Sequence, residues 1–189
     1  MKFLDALLGR SKPKKPDLDQ LFGVPQAALT LEAAADIKPT GVGSVCYRAA
    51  EGGAFATTQA DITQLLDADE GPKVELTQDS YGYTWLVNRH DPADVSGLVT
   101  DLHAVNSSLE AAGFGPALLC SLVCFATGDG RSLGLVYLYK RGTFYPFAPM
   151  GGKKRDNALE LQVRGLIGND LRLEEDLSRW FPVWGAPGL

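Results

Sequence analysis

Apolar residues follow two rhythms along this chain. Between Val95 and Leu109 they recur at steps of three and four: Val95, Leu98, Val99, Leu102, Val105 and Leu109. That spacing stacks them on one helical face. Asp91-Pro92 supplies a capping side chain and a first-turn proline, and Gly113 a stop, so a helix is predicted over 92–113. Elsewhere the period is two. Val74 and Leu76, then Tyr81, Tyr83, Trp85 and Val87, alternate with polar residues on either side of Gln78-Asp79-Ser80, which predicts two strands joined by a turn.

A further strand is predicted over 42–49. Three more follow in succession, 117–126, 133–140 and 143–148, separated by Thr127-Gly128-Asp129-Gly130 and Arg141-Gly142. The first two of these are apolar on both sides, which predicts central strands covered on each face. Asp17 is placed to cap a short helix carrying Leu18, Leu21 and Phe22 and stopped by Gly23, and the alanine-rich 26–36 predicts another. Thr58 and Asp61 have capping-box spacing, with Phe55, Ile62, Leu65 and Leu66 as that helix's face. The last helix is predicted over 156–167, with a shorter piece ending at Trp180. The order of elements predicts an α+β fold, an antiparallel sheet with helices packed on it. It resembles the type III secretion chaperone-like fold, which also sets a long helix between groups of antiparallel strands, and which by itself implies no activity.

Charge changes the picture at one end. The 189 residues carry a net −5, yet residues 1–15 hold Lys2, Arg10, Lys12, Lys14 and Lys15 against Asp5 alone, a net +4 that leaves −9 on the rest. Phe3, Leu4, Leu7 and Leu8 form one apolar stripe in the same segment, and Pro13 and Pro16 interrupt any helix beyond it. The chain therefore divides into an amphipathic basic segment and spacer, 1–16, and a body, 17–189. The stripe is short, broken by Asp5 and followed by no small-residue cleavage site, unlike a secretion signal. No run of about 18 apolar residues predicts a membrane span. An acidic body argues against nucleic acid as a partner. Phe3, Leu4, Leu7, Leu8, Arg10, Lys12, Lys14 and Lys15 are the candidate contact set, for an anionic membrane surface, a partner helix, or the protein's own body.

Catalytic chemistry finds little footing. His90 and His103 are the only histidines and neither has a ligand-spaced partner, so no metal is expected. Cys46, Cys120 and Cys124 have no framework spacing; they suit a reducing compartment and no disulfide is expected. Gly41-Val42-Gly43-Ser44 lacks the lysine of a phosphate loop and reads as the start of a strand. Glu174, Glu175 and Asp176, being consecutive, read as a solvated face rather than a facing catalytic pair. Gly151, Gly152, Lys153, Lys154 and Arg155 place three cations before a helix start, where the helix dipole opposes them, so a second candidate is an anion or acidic partner at this loop.

Several strings, Phe3–Pro13, Pro39–Gly52, Asp79–Val87, Leu98–Gly115, Tyr137–Pro149 and Trp180–Pro187, together resemble the PspA-associated protein PspAB family of actinobacteria. The resemblance implies a non-enzymatic accessory or adaptor role in the PspA envelope-stress response, without catalytic residues or cofactor. It implies PspA or another envelope-stress protein as partner and a cytoplasmic place at the inner membrane face. The alternative is a small-ligand or anion-binding domain that uses the Gly151–Arg155 loop.

Overall fold

The computed structural model describes residues 16–68 and 70–189. Four helices, α1 (Val24–Ala35), α2 (Gly53–Leu66), α3 (Val95–Ala111) and α4 (Asn157–Ile167), accompany six main strands. The strands are β1 (Ile37–Tyr47), β2 (Glu75–Gln78), β3 (Thr84–Arg89), β4 (Leu118–Thr127), β5 (Ser132–Leu138) and β6 (Thr143–Phe147). They form one sheet in the order β2-β3-β1-β4-β5-β6 with every neighbouring pair antiparallel. A two-stranded hairpin, β7 (Pro149–Met150) with β8 (Lys154–Arg155), leads into α4. The fold is α+β, as the order of elements predicts.

Alternation along the strands separates two cores. Val45 and Tyr47 of β1, Val123 and Phe125 of β4 and Leu133, Leu135 and Tyr137 of β5 are buried together with the helices. All six apolar residues of the α3 stripe are buried in that layer. Cys46, Trp85, Cys120, Leu122, Cys124, Val136, Tyr145 and Phe147 face the other way. There the cover is the irregular C-terminal segment, through Trp180, Val183, Trp184, Ala186 and Leu189. The central strands are thus covered on both sides, but by helices on one and an extended strap on the other.

Local differences from the predicted elements have identifiable causes. Gly23 does not stop a helix: at φ −77 it continues the 3₁₀ turn Leu18–Gly23 straight into α1. Its missing side chain matters for packing, since a Cβ there would lie 2.9 Å from Leu171 Cδ2. The strand predicted from Val42 begins at Ile37, and Gly41 sits inside it at a break in register with β4. Gly41 has φ +78, and a Cβ would come within 2.2 Å of the His90 carbonyl oxygen, so only glycine fits this irregularity. Asp94, not Asp91, caps α3: its carboxylate accepts the Gly97 N–H at 2.9 Å, while Asp91 accepts from Ala93 in the turn before. Helix α2 starts at Gly53, and Thr58 Oγ1 donates back to the Ala54 carbonyl inside it, so no capping box forms with Asp61. Of that helix's predicted face Phe55 and Ile62 are buried, while Leu65 is exposed.

Glu174 corrects the reading of the acidic triplet. Residues 172–174 run beside β6, with backbone hydrogen bonds Phe144 N–H to Arg172 O and Glu174 N–H to Phe144 O. The Glu174 side chain is only 3% exposed and accepts from Arg141 Nε at 2.5 Å and Thr143 Oγ1 at 2.9 Å. Burial works against its charge, but Arg141, Thr143 and the Asp176 N–H together hold its pKa below the usual glutamate range. It is a structural ion pair, not solvated surface.

Candidate functional site

One cross-section of the sheet makes a hollow. Trp85 pairs with Cys46, Cys46 with Cys120, and Cys120 with Leu138, so four side chains stand in a row on the strap side. The two small thiols lie between a tryptophan and a leucine, and that difference in size leaves a depression over β1 and β4. The turn between β2 and β3 forms one wall. Asp79 shapes it by accepting the N–H groups of Tyr81 and Tyr83 and the Trp85 indole N–H, at 2.8, 3.0 and 3.0 Å. The roof is the strap Arg179–Trp184. Tyr145 OH donates to the Phe181 carbonyl at 2.7 Å, Tyr145 stacks on Trp180 at 6.0 Å, and Trp184 meets Phe147 edge-on at 5.0 Å.

These parts enclose a cavity of about 400 Å³. Its walls are mainly aromatic and aliphatic; its charged lining is Asp79, Lys140, Arg141 and Arg179, three cations against one carboxylate. The Cys46 thiol is pushed up by its hydrogen bond with Cys120 and by burial, and burial pushes Cys124 up to about 12. Burial likewise raises the Tyr145 phenol. Cys46, Cys124 and Tyr145 are therefore held protonated at neutral pH, and neither histidine lines the cavity. A nucleophilic thiol needs a depressed pKa, and Cys46 and Cys124 are shifted the opposite way.

Phe3, Leu4, Leu7, Leu8, Arg10, Lys12, Lys14 and Lys15 lie outside the described residues. Gly151, Gly152 and Lys153 form the β7–β8 turn, with Gly152 at φ +71 and Lys153 at φ +54, and Lys154 and Arg155 are strand β8. Lys153 and Lys154 are exposed. Arg155 turns inward: Nε donates to Glu160 Oε1 at 2.9 Å, Nη1 donates to the Trp180 carbonyl, and the guanidinium stands 5.1 Å from the Phe147 ring centre. Arg155 thus ties the hairpin to α4 and the strap, and the loop does not reach the cavity. None of the cavity's lining was singled out as a site from the sequence. The aromatic density of Tyr81-Gly82-Tyr83-Thr84-Trp85 and Trp180–Trp184 was the available signal, but its convergence depends on strand register.

His90 serves a different junction, where β3 gives way to α3. Its Nδ1 lies 3.0 Å from Asp94 Oδ2 and its Nε2 2.7 Å from Asp101 Oδ2. Partial burial disfavours the charged ring, but the hydrogen bonds to Asp101 and Asp94 outweigh it and raise the pKa above its ordinary value. Asp94 is lowered, first by the Gly97 N–H and then by His90. A raised histidine pKa contributes stability that is full below the unfolded value near 6.5 and is lost as pH rises through the folded value. His90→Gln should therefore cost stability at about pH 6 and little at about pH 9. Urea unfolding of both proteins at the two pH values checks this; an equal difference at both would refute the charged bridge.

The fold and cavity define an α+β protein with one six-stranded antiparallel sheet and an aromatic-lined cleft under a C-terminal strap. The chain belongs to the PspAB family, PspA associated protein B, which it matches over residues 1–188. No curated protein and no solved structure matches it. Among the described residues no helix is long and apolar enough to cross a membrane, and no group of three or more His, Cys, Asp or Glu could hold a metal ion.

Proposed function

We propose that the protein is a non-enzymatic accessory component of the PspA envelope-stress response that works by contact, through residues 1–15, with PspA, another envelope-stress protein or an anionic membrane surface. Family membership along nearly the whole chain is the observation that carries this reading. Pro16 lines a surface pocket together with Pro116, Tyr139 and Lys140. Five cations near an anionic surface and four partly inserted apolar side chains supply a few kcal/mol each, about what weak, reversible attachment at an inner membrane face needs.

Deleting residues 1–15 should leave the unfolding transition of the 17–189 body nearly unchanged and abolish attachment. Co-sedimentation with anionic vesicles at low and high salt, and pull-down with PspA, measure this for full-length and shortened protein. Membrane attachment should fall steeply with salt and fall again for Leu7→Asp; a partner helix should respond to Leu7→Asp and little to salt. A shortened protein that unfolds would place the segment in the core and sink the reading.

The cavity favours a second reading, a small-ligand-binding domain. Arg155 is engaged by Glu160 and Trp180, and this reading takes the hollow beneath the strap, rather than the Gly151–Arg155 loop, as the candidate ligand site. A volume of about 400 Å³ lies within the ordinary range for small-molecule pockets, and a mostly apolar lining with a few convergent polar groups is their usual chemistry.

A further inference from the structure

We propose that the cavity beneath the Arg179–Trp184 strap binds an amphipathic anion, its apolar body against Trp85, Tyr145 and Trp184 and its carboxylate or phosphate at Lys140 on the rim. The proposal rests on the ligand-binding reading above and adds the chemical class of the ligand.

Charge at the mouth decides the class. Asp79, the one lining carboxylate, is occupied by two backbone N–H groups and an indole N–H. Arg141 is held by Glu174, and Arg179 pairs with Asp176 at 3.2 Å while remaining 45% exposed. Lys140 is exposed and has no ion-pair partner among the described residues. Its ammonium and the open side of Arg179 therefore leave positive potential at an apolar mouth, where low-dielectric walls strengthen it. The mouth also carries Tyr81 and Phe181, both 57% exposed although large and apolar, so an acyl or aryl body passing between them would remove more apolar surface from water than the cavity alone offers.

Aromatic walls can also attract quaternary ammonium ions by cation–π contact. Here that alternative is disfavoured. The Tyr83 ring already carries the Arg48 guanidinium at 5.6 Å, and Lys140 with the open side of Arg179 stands at the same mouth. An anion meets complementary charge, and a cation meets repulsion.

The test titrates full-length protein with decanoate, decyl phosphate and decyltrimethylammonium below their micelle concentrations, followed by calorimetry and by the fluorescence of Trp85 and Trp184. Two variants accompany it: Lys140→Glu, on the exposed rim, and Leu119→Trp, which fills the cavity. Each is checked for an unchanged melting transition before use. The expected result is saturable binding of both anions, at least about tenfold weaker binding of the ammonium, about tenfold loss on Lys140→Glu, and loss of all binding on Leu119→Trp. The better anion then distinguishes a carboxylate from a phosphate headgroup. Equal binding of the ammonium, abolished by Leu119→Trp, would overturn the anion and keep the ligand site. No saturable binding of any probe, or binding indifferent to Leu119→Trp, would overturn both.

Discussion

Leu102→Asp should leave little folded protein at room temperature. Leu102 is fully buried in the middle of the α3 stripe, directly over β1: a Cβ built on Gly43 would lie 3.1 Å from Leu102 Cδ1. The helix rides on the strand backbone at a glycine, so no room exists for a carboxylate to turn toward water. An unpaired buried charge belongs to the class of substitutions that cost more than about 4–5 kcal/mol, against a total of about 5–15 kcal/mol for an ordinary domain. A graded series separates charge from volume. Leu102→Met should cost less than about 1.5 kcal/mol and Leu102→Ala about 2–5 kcal/mol. Urea unfolding followed by tryptophan fluorescence and circular dichroism measures all three. A soluble Leu102→Asp protein with the wild-type midpoint would show that α3 does not seal the core.

What could be read from the sequence was local, and what could not was long-range. The α3 stripe and the β4–β5–β6 meander follow from periodicity and turn glycines: Gly113, Gly130 and Gly142 all have positive φ, as their turns require. Capping was ambiguous because Asp91 and Asp94 lie three residues apart and either carboxylate can serve; the contact of Asp94 with His90 accompanies its use. The hollow was out of reach because β1 lies between β3 and β4, with 36 and 70 residues of chain separating Tyr47 from its partners at Thr84 and Leu118. Periodicity assigns Cys46 and Cys120 each to a face, but only the pairing of those strands sets them side by side. Glu174 looked solvated since two acidic neighbours follow it; its burial depends on a bridge to β6 that no helical pattern signals.

The strap should depend on one residue, and Trp180→Ala should release it. Trp180 is 6% exposed, donates its indole N–H to the Glu174 carbonyl at 3.0 Å, and stacks on Tyr145; its own carbonyl accepts from Arg155. Arg164 lies 5.9 Å over the same ring. Truncation removes the stacking partner, opens a void against the sheet and leaves the Glu174 carbonyl unpaired, at a cost of about 3–5 kcal/mol. Trp180→Phe keeps an aromatic plane and loses the hydrogen bond, so about 1 kcal/mol of the loss belongs to that bond. A second readout separates local release from global weakening. Cys46 and Cys120 are 3% and 7% exposed at the cavity floor, and Cys124 is fully buried beneath the end of the chain near Gly188. In the wild type all three thiols should react slowly with an aromatic disulfide reagent. In Trp180→Ala, Cys46 and Cys120 should react quickly under native conditions while the helix-side core stays folded by circular dichroism. Thiol reactivity that rises only through the unfolding transition, equally for all three cysteines, would mean that the strap and the sheet are one cooperative unit and that the cavity has no independent lid.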